Sequence, residues 1–121
     1  MIIYSFSPDV GKPISAYDSQ NLMMSRILNG AAEEIHMGCM HLGAGGTVGL
    51  HRASIPQLLL IVQGEGVVIG QEKQEVPIRS GMAAYWEEGE WHETRTENGL
   101  TAIVIESPAL IVRMPETQTS N

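Results

Sequence analysis

Four histidines and one cysteine are the side chains of this chain best suited to metal binding, nucleophilic chemistry or proton transfer. Two of the histidines, His51 and His92, each stand in a frame of spaced glycines. The glycines of the two frames are Gly45, Gly64, Gly81 and Gly89. Neutral imidazole is the commonest protein ligand of metals, and it also exchanges protons near neutral pH. His51 and His92 are therefore the first candidates for a functional site.

Cys39 forms a second group with His41 and His36 on a predicted strand. Because side chains alternate along a strand, Cys39 and His41 share one face and His36 lies on the other, so at most one face can enter a pocket. A thiolate and an imidazole could bind zinc or iron together with His51 and His92. A buried cysteine is more commonly a small apolar residue. Both interpretations stay open at the level of sequence.

Short apolar runs separated by frequent glycines fill the chain from Ile35 onward, and this pattern is typical of strands joined by turns. The predicted strands are residues 34–42, 48–54, 57–63, 67–69, 76–79, 83–86, 92–97, 100–106 and 110–114. Residues 22–28 have a composition that is compatible with a short helix. Many short strands at this spacing predict an all-β sandwich or barrel.

The dipeptide Asn98-Gly99 predicts a tight β-hairpin, because a two-residue type I′ turn needs positive φ at both positions. If these two residues form the loop, His92 faces Ile105, and facing pairs share one side of the sheet. The other residues on that side are then Thr94, Thr96, Thr101 and Ile103. We assign this side to the interior. The opposite side, which begins with Trp91, is expected to be partly exposed or to contact another subunit.

Residues 58–62 are apolar at every position, so neither face of this strand is suited to water. Burial of the outer face against a second copy of the chain would satisfy the pattern. We therefore expect a homodimer.

The length of 121 residues fits one domain, since a domain of this size buries roughly two thirds of its unfolded surface. We expect a single domain over residues 1–121, in which residues 1–33 form an N-terminal extension that packs on the barrel. Residues 116–121 are predicted to be a frayed polar tail. One cysteine excludes an intramolecular disulfide and no secretory leader is evident, so we expect a cytoplasmic protein.

The chain is acidic, with 7 basic residues, 14 acidic residues and a formal net charge of -7. The basic residues are spread along the sequence without a cluster. We expect no nucleic-acid partner and no membrane partner, because phosphate binding depends on concentrated positive charge. No apolar run approaches the length of about 20 residues that a membrane-spanning helix needs.

The spacing of the two histidine frames resembles the two sequence motifs of the cupin family. In that family the first motif carries a glycine, two histidines one residue apart, a glutamate and a closing glycine, and the second carries glycine, proline, glycine and histidine, often with an asparagine. The matching residues are Gly45, His51, Gly64, Gly81, Gly89 and His92. At the departing positions Ala53 replaces the second histidine, Gln57 the glutamate, Glu87 the proline and Thr96 the asparagine. The resemblance spans about half of the chain.

The resemblance implies a double-stranded β-helix, or jelly-roll barrel, with a ligand pocket in its mouth. The residues expected to line the pocket are Gln57, Trp86, Thr94, Thr96, Ile103 and Ile105. At the rim of such a barrel the ring of Trp86 can stack on a ligand. Core or dimer packing is the more common role for such a ring.

In cupins the complete site holds a divalent metal on three histidines and a glutamate. His51, His92 and Gln57 retain ligand atoms at matching positions, and such ligands suit iron, manganese, nickel or zinc. Ala53 offers no donor atom. Glu90, two residues before His92, is a candidate for the missing anionic ligand. The alternative is a metal-free pocket in which hydrogen bonds hold both histidines neutral.

Three functions are compatible with these residues. The leading one is a small-molecule-binding protein with a degenerate divalent-metal site. The second is a metal-dependent enzyme, such as a dioxygenase or an isomerase, and the third is a sensor or accessory subunit with a vestigial pocket. The fold hosts many unrelated activities, so the sequence does not choose among them.

Overall fold

A computed structural model describes residues 1–29 and 34–117, and within them ten strands follow one another along the chain. Their bounds are β1 Ile2–Ser5, β2 Lys12–Ile14, β3 Leu22–Met24, β4 His36–Leu42, β5 Thr47–Arg52, β6 Gln57–Ile69, β7 Glu75–Arg79, β8 Met82–Trp86, β9 Trp91–Arg95 and β10 Leu100–Glu106. Two single-turn 3₁₀ helices, Pro8–Val10 and Ala16–Asp18, flank β2. The predicted all-β class is confirmed for the described residues.

Strand β6 joins the two layers of the fold because it is 13 residues long and belongs to both. Its first half pairs with β8 and β10, in an antiparallel sheet ordered β1-β8-β6-β10-β4. Its second half pairs with β7 and β9, and β9 also pairs with β5. Strands β2 and β3 form a separate two-stranded sheet. The two main layers enclose an apolar core, as in a jelly-roll barrel.

Strand β6 passes from one sheet to the other at Gly64, which has a φ of 87°. A Cβ atom at this position would collide with the backbone of Gly99 and Leu100. The register between β6 and β10 shifts at the same place, between Thr101 and Ala102. This closing glycine of the first frame is therefore required by the backbone, whatever the site binds.

The predicted hairpin at Asn98-Gly99 is wrong. Strand β9 pairs with β5 and β6 while β10 pairs with β4 and β6, so the two strands lie in different sheets. The hydroxyl of Thr96 holds the connection, since it donates to the Glu65 carbonyl at 2.7 Å and accepts from the Gly99 N–H at 3.0 Å. An Asn-Gly pair permits a sharp turn, but it does not select the partners of the flanking strands.

Most predicted strands are confirmed within one or two residues. Strands β1 and β2 were not predicted, and the predicted elements differ from the structure at three places. Residues 57–63 and 67–69 form one continuous strand. The segment Leu22–Met24 is a strand paired with β2, where a helix was expected. Residues 110–114 form no regular strand and contribute only an isolated bridge between Val112 and Leu28.

Alternate residues of β6 enter two separate apolar cores. Leu59 and Ile61 face the space between the sheets and pack there with Trp86. Leu58 and Leu60 belong to a second core on the other face of the first sheet. The remaining buried members of the inner core are Ile3, Val68, Val76, Ile78, Ala84, Leu100 and Ala102. Burial of both faces is therefore confirmed for residues 58–61, whereas Val62, the last residue of the predicted apolar run, is exposed.

The second core is closed by the chain's own terminal segments. The residues from these segments that pack there are Ile27, Leu28, Leu110, Val112 and Met114. The Arg113 N–H donates to the Ile27 carbonyl at 2.8 Å and joins the two segments. The outer face of β6 is thus buried without a second copy of the chain, and it does not require a homodimer.

The two ends of the chain are tied to the main sheet. Strand β1 pairs with β8, so part of the predicted N-terminal extension is a strand of the barrel. Glu116 forms a bridge with Tyr4, and the Thr117 N–H donates to the Ile3 carbonyl at 2.9 Å, so these two residues are not frayed. The predicted N-terminal extension also included residues 30–33, and the predicted frayed tail also included residues 118–121. Both segments lie outside the described residues. In the part that is described, no helix is long and apolar enough to cross a bilayer.

Candidate functional site

His51 and His92 are direct neighbours across the β5–β9 pair. An irregularity between Val48 and His51 adjusts the register so that the two histidines face one another. Their Nε2 atoms are 3.1 Å apart and their ring centroids are 4.3 Å apart. The fold thus brings together the histidines of the two glycine frames, although they are 41 positions apart in the sequence.

The hydrogen bonds of His51 assign the protons of this pair. Its Nδ1 lies 2.7 Å from the Gly49 carbonyl oxygen, which can only accept, so Nδ1 carries a proton. In a neutral ring Nε2 of His51 is then an acceptor, and the Nε2–H of His92 donates to it. Two neutral imidazoles therefore satisfy one another when no ion is bound.

His92 is deeply buried, with 3% of its surface exposed. The indole ring of Trp86 packs against it, with ring centroids 4.5 Å apart at an angle of 66°. Burial, followed by the neighbouring His51, lowers the pKa of His92 to about 4, while Glu90 acts in the opposite direction. His92 is therefore neutral at pH 7, in the protonation state that metals bind.

The histidine pair opens into a small cleft of about 140 Å³. The polar residues that line it are His51, Gln57, His92, Glu93 and Thr94. The apolar residues that line it are Met40, Val48, Leu59 and Val104. Ring nitrogens and amide and hydroxyl groups thus meet an apolar wall, a combination typical of small-molecule sites.

Four further residues were expected to line the pocket, and the structure places them in three different environments. They are Gln57, Trp86, Thr94 and Thr96. Gln57 and Thr94 lie in the cleft with the two histidines. Trp86 is fully buried behind His92, so it packs in the core and does not stand at a rim. Thr96 holds the connection between β9 and β10 and lines a different cleft.

Ile103 and Ile105, also expected in the pocket, lie in the second core on the outer face of the sheet. Their placement followed from the hairpin, and β10 instead pairs with β6, where Val104 faces Leu59. Val104 and Leu59 therefore line the cleft in their place. The sequence shows which residues of β10 share a face, but it does not show that β10 pairs with β6.

Strand β4 presents its Cys39 face away from the cleft. Cys39 and His41 are exposed, whereas Met40 between them lines the cleft. His36, at the start of the strand, is exposed and its Nε2 lies 2.9 Å from a carboxylate oxygen of Glu34. The structure brings none of these three titratable side chains to the pair of His51 and His92.

Glu90 was a candidate for the missing anionic ligand, and Ala53 stands at the position of the second motif histidine. Neither residue lines the cleft of His51 and His92. One Glu90 oxygen lies 3.1 Å from the amino group of Met1, and the other accepts from the Glu87 N–H at 2.8 Å. Ala53 is buried, and its N–H donates to the Glu90 carbonyl at 2.9 Å. It is not among the residues that line the cleft. Glu90 therefore supports the local loop and does not line the cleft with the histidines.

The separation of the two imidazoles is compatible with a shared metal ion. Because metal–imidazole bonds are about 2.0–2.1 Å long, two such ligands lie about 2.9 Å apart at a right angle and about 3.4 Å apart at a tetrahedral angle. The observed 3.1 Å falls between these values. The bond from His51 to the Gly49 carbonyl orients that ring, as outer-shell partners of metal-bound histidines do.

The donor set that the chain itself offers is small. Among the described residues no group of three or more His, Cys, Asp or Glu side chains is placed to hold a metal. An ion would therefore rest on His51 and His92, with Gln57, water or a bound molecule as further ligands. The residues present fit a two-histidine site that is completed from outside the protein.

Comparisons with known proteins place the chain by fold. No protein-family model matches it. A comparison with curated proteins gives no significant match. Solved structures match more clearly, and a predicted oxalate decarboxylase from Thermotoga maritima is 26% identical with a TM-score of 0.54. That match covers 64% of this chain and 65% of the Thermotoga chain, so this chain spans less than two thirds of that protein.

Two further solved structures are described as cupins. An RmlC-like cupin from Shewanella frigidimarina is 17% identical with a TM-score of 0.59, over 69% of this chain and 84% of that one. A cupin superfamily protein from Desulfitobacterium hafniense is 13% identical with a TM-score of 0.59, over 81% of this chain and 92% of that one. These likenesses confirm the fold that the two sequence motifs implied. The chain is therefore a small protein with the cupin fold.

Proposed function

We propose that this chain binds a divalent transition-metal ion on His51 and His92 and that a small carboxylate completes the site. The observation that carries the proposal is the 3.1 Å separation of the two Nε2 atoms in one cleft. Iron, manganese, nickel and zinc all accept imidazole nitrogen with oxygen ligands. When bound, the ion would supply a positive charge and a Lewis acid in the cleft, between the buried His92 and the exposed His51.

The charge balance of the site favours an anionic ligand. Two neutral imidazoles and the amide of Gln57 leave the charge of a divalent ion uncompensated. Glu93 also lines the cleft, but its carboxylate lies 3.7 Å from the Arg95 guanidinium, which offsets part of its charge. A carboxylate from outside would provide both the missing charge and the missing oxygen ligands.

The size and walls of the cleft restrict that carboxylate. A volume of about 140 Å³ admits a molecule of a few heavy atoms. The apolar wall that includes Met40 and Val104 suits a short hydrocarbon part. The likeness to a Thermotoga protein described as a predicted oxalate decarboxylase supports the same ligand class.

Titration calorimetry of metal-free protein with Co²⁺ tests the proposal. We expect one bound ion per chain, and we expect His51→Ala and His92→Ala each to weaken binding by more than about a hundredfold, because loss of an outer-shell partner alone costs 10–100-fold. The matched control is His41→Ala, which removes an exposed imidazole from the outer face of β4. Equal Co²⁺ affinity in the control and in the two site variants would refute the proposal.

Acetate, which chelates Co²⁺ weakly in water, tests the ligand class. We expect it to change the visible absorption spectrum of the Co²⁺-loaded protein in a saturable way and to leave the metal-free protein without measurable binding. Acetate binding of the same strength with and without Co²⁺ would show that the ion does not hold the carboxylate.

Gln57→Glu tests whether Co²⁺ affinity can be increased. A carboxylate at this position would add a negative charge to the cleft that both histidines line. We expect Co²⁺ affinity to rise by about tenfold, because a charge pair at close range contributes ~1 kcal/mol even in water and more where water is excluded. Gln63→Glu, on the exposed part of β6, is the control that adds the same charge away from the cleft.

Catalysis at the same ion is the second candidate function, and the likeness to the predicted oxalate decarboxylase is the observation that favours it. Release of CO₂ from oxalate by metal-loaded protein, absent in His92→Ala, would establish it.

The cytoplasmic location and the homodimer stay predictions. Sedimentation equilibrium of the full chain tests the homodimer.

A further inference from the structure

A second cleft, of about 590 Å³, lies between the N-terminal and C-terminal segments. Three basic residues line it, namely Lys12, Arg26 and Arg113. Within residues 1–29 and 34–117, the lining contains no aspartate or glutamate. The whole chain has only 7 basic residues against 14 acidic ones, so three cations without a carboxylate in one cleft are a marked local excess of positive charge. Basic residues that are far apart in the sequence therefore lie together in the folded chain.

Backbone pairing brings these three residues together from distant parts of the sequence. Lys12 faces Met24 in the β2–β3 pair, and Arg26 follows two residues after Met24. The N–H of Arg113 donates to the carbonyl of Ile27 at 2.8 Å, which places the C-terminal segment beside Arg26. The cluster therefore depends on the same strand contacts that close the second core.

The described residues provide no counter-ion for the cluster. The acidic side chains make no contact within 4.0 Å of Lys12, Arg26 or Arg113, whereas Arg95 is paired with Glu75 and Glu93. This absence concerns residues 1–29 and 34–117. The nearest acidic residues along the chain, Asp9 and Glu116, line the neighbouring cleft that contains Arg79.

Asp9 and Glu116 are also engaged there. The Asp9 carboxylate accepts a hydrogen bond from the Ser7 hydroxyl. Glu116 is fixed by its backbone bridge to Tyr4. Like charges gathered without a partner raise the free energy of the folded state, and binding of an anion removes that repulsion.

We propose that this cleft binds a small molecule that carries a phosphoryl group. Arginine side chains bind phosphate oxygens through paired hydrogen bonds, and lysine adds a point charge. Ser5, Ser25 and Asn29 line the same cleft and supply further polar groups. The volume lies within the range of about 300–1,000 Å³ that is usual for small-molecule sites.

The remaining walls of the cleft indicate what the phosphoryl group is attached to. They are formed by Val10, Ile14, Met24, Met114 and Pro115. An apolar surface of this kind gains from contact with a hydrocarbon or aromatic portion of the ligand. A phosphate monoester should therefore bind more tightly than inorganic phosphate.

Calorimetry of the metal-free full chain with inorganic phosphate and with phenyl phosphate tests the proposal at constant ionic strength. We expect saturable one-to-one binding, tighter for phenyl phosphate. Arg26→Gln and Arg113→Gln should each weaken it by about tenfold or more, since each removes a charged donor of hydrogen bonds to the phosphate. All three basic side chains are on exposed residues, so these variants should fold.

The matched control is Arg79→Gln, which removes the same charge from the neighbouring cleft. Unchanged phosphate affinity in this control supports the assignment, and a loss equal to that of Arg113→Gln would overturn it. Absence of phosphate binding to the unmodified chain at millimolar concentration would also overturn it. Binding to vesicles that contain phosphatidic acid, without binding of phenyl phosphate, would assign the cleft to a lipid surface and contradict the proposal.

Discussion

At the scale of single residues, His92 stays neutral over the range in which a free histidine gains a proton. Its ring is buried against Trp86, and a proton on it would lie close to His51. The Nε2–H of His92 donates to His51, so the atom that would bind a metal carries a proton in the metal-free pair. Metal binding at both Nε2 atoms therefore requires that proton to move to Nδ1 of His92, which leaves the ring neutral and frees Nε2 as a ligand.

The lowered pKa of His92 predicts how the metal-free protein responds to acid. Its pKa is about 4 in the folded chain, against an ordinary value of 6.5 for a histidine in an unfolded chain. Between these values the unfolded state binds more protons, so the free energy of unfolding decreases as the pH falls from 6.5 to about 4. Urea unfolding of the unmodified chain and of His92→Phe at several pH values measures this contribution.

We expect His92→Phe to lack this part of the pH dependence and the exposed-site control His41→Phe to retain it. An identical slope of unfolding free energy against pH in the unmodified chain and in His92→Phe would mean that His92 is not held neutral by burial.

At the scale of strands, the sequence predicts where strands lie along the chain better than it predicts which strands pair with one another. Alternation and apolar runs locate most strands, and they correctly indicate that β6 is buried on both faces over residues 58–61. They do not reveal that β9 and β10 belong to different sheets, because that choice depends on contacts between residues far apart in the chain. His51 and His92 could be paired from their motifs, whereas Val104 and Leu59 could be placed only from the true register.

The two-core arrangement predicts a specific cost for Leu58→Ala. Leu58 is fully buried in the second core under the terminal segments. Its truncation should lower the free energy of unfolding by about 2–4 kcal/mol, through lost burial and the cavity that remains. The measurement is urea unfolding at pH 7.

Val62→Ala is the matched control on the same strand, because Val62 is 45% exposed. It should cost at most about 1 kcal/mol. A cost of similar size for the two substitutions would show that the terminal segments do not cover the outer face of β6.

At the scale of the whole molecule, the two clefts have opposite electrostatic designs. The histidine cleft is neutral in its donor groups and is suited to an ion that brings positive charge. The cleft around Arg26 and Arg113 is positive and is suited to a ligand that brings negative charge. Net charge, the only electrostatic quantity that the sequence provides directly, averages over this separation.

The two sites should act independently, because their linings share no residue. Arg113→Gln should leave Co²⁺ affinity unchanged within about a factor of two, and His51→Ala should leave phosphate affinity unchanged to the same extent. Calorimetry of both variants with both ligands gives the answer. A tenfold change in either cross-titration would show that the sites are coupled or that the variants disturb the whole barrel.

A long-range ¹H–¹⁵N spectrum of the histidine rings at pH 7, recorded before and after one equivalent of Zn²⁺, tests directly whether His51 and His92 form one metal site. In the metal-free chain we expect a proton on Nδ1 of His51 and on Nε2 of His92. Zn²⁺ should then shift the Nε2 resonances of both rings together and leave His36 and His41 unchanged. A shift at only one ring of the pair, or at His36 or His41 first, would contradict the claim that His51 and His92 form one metal site.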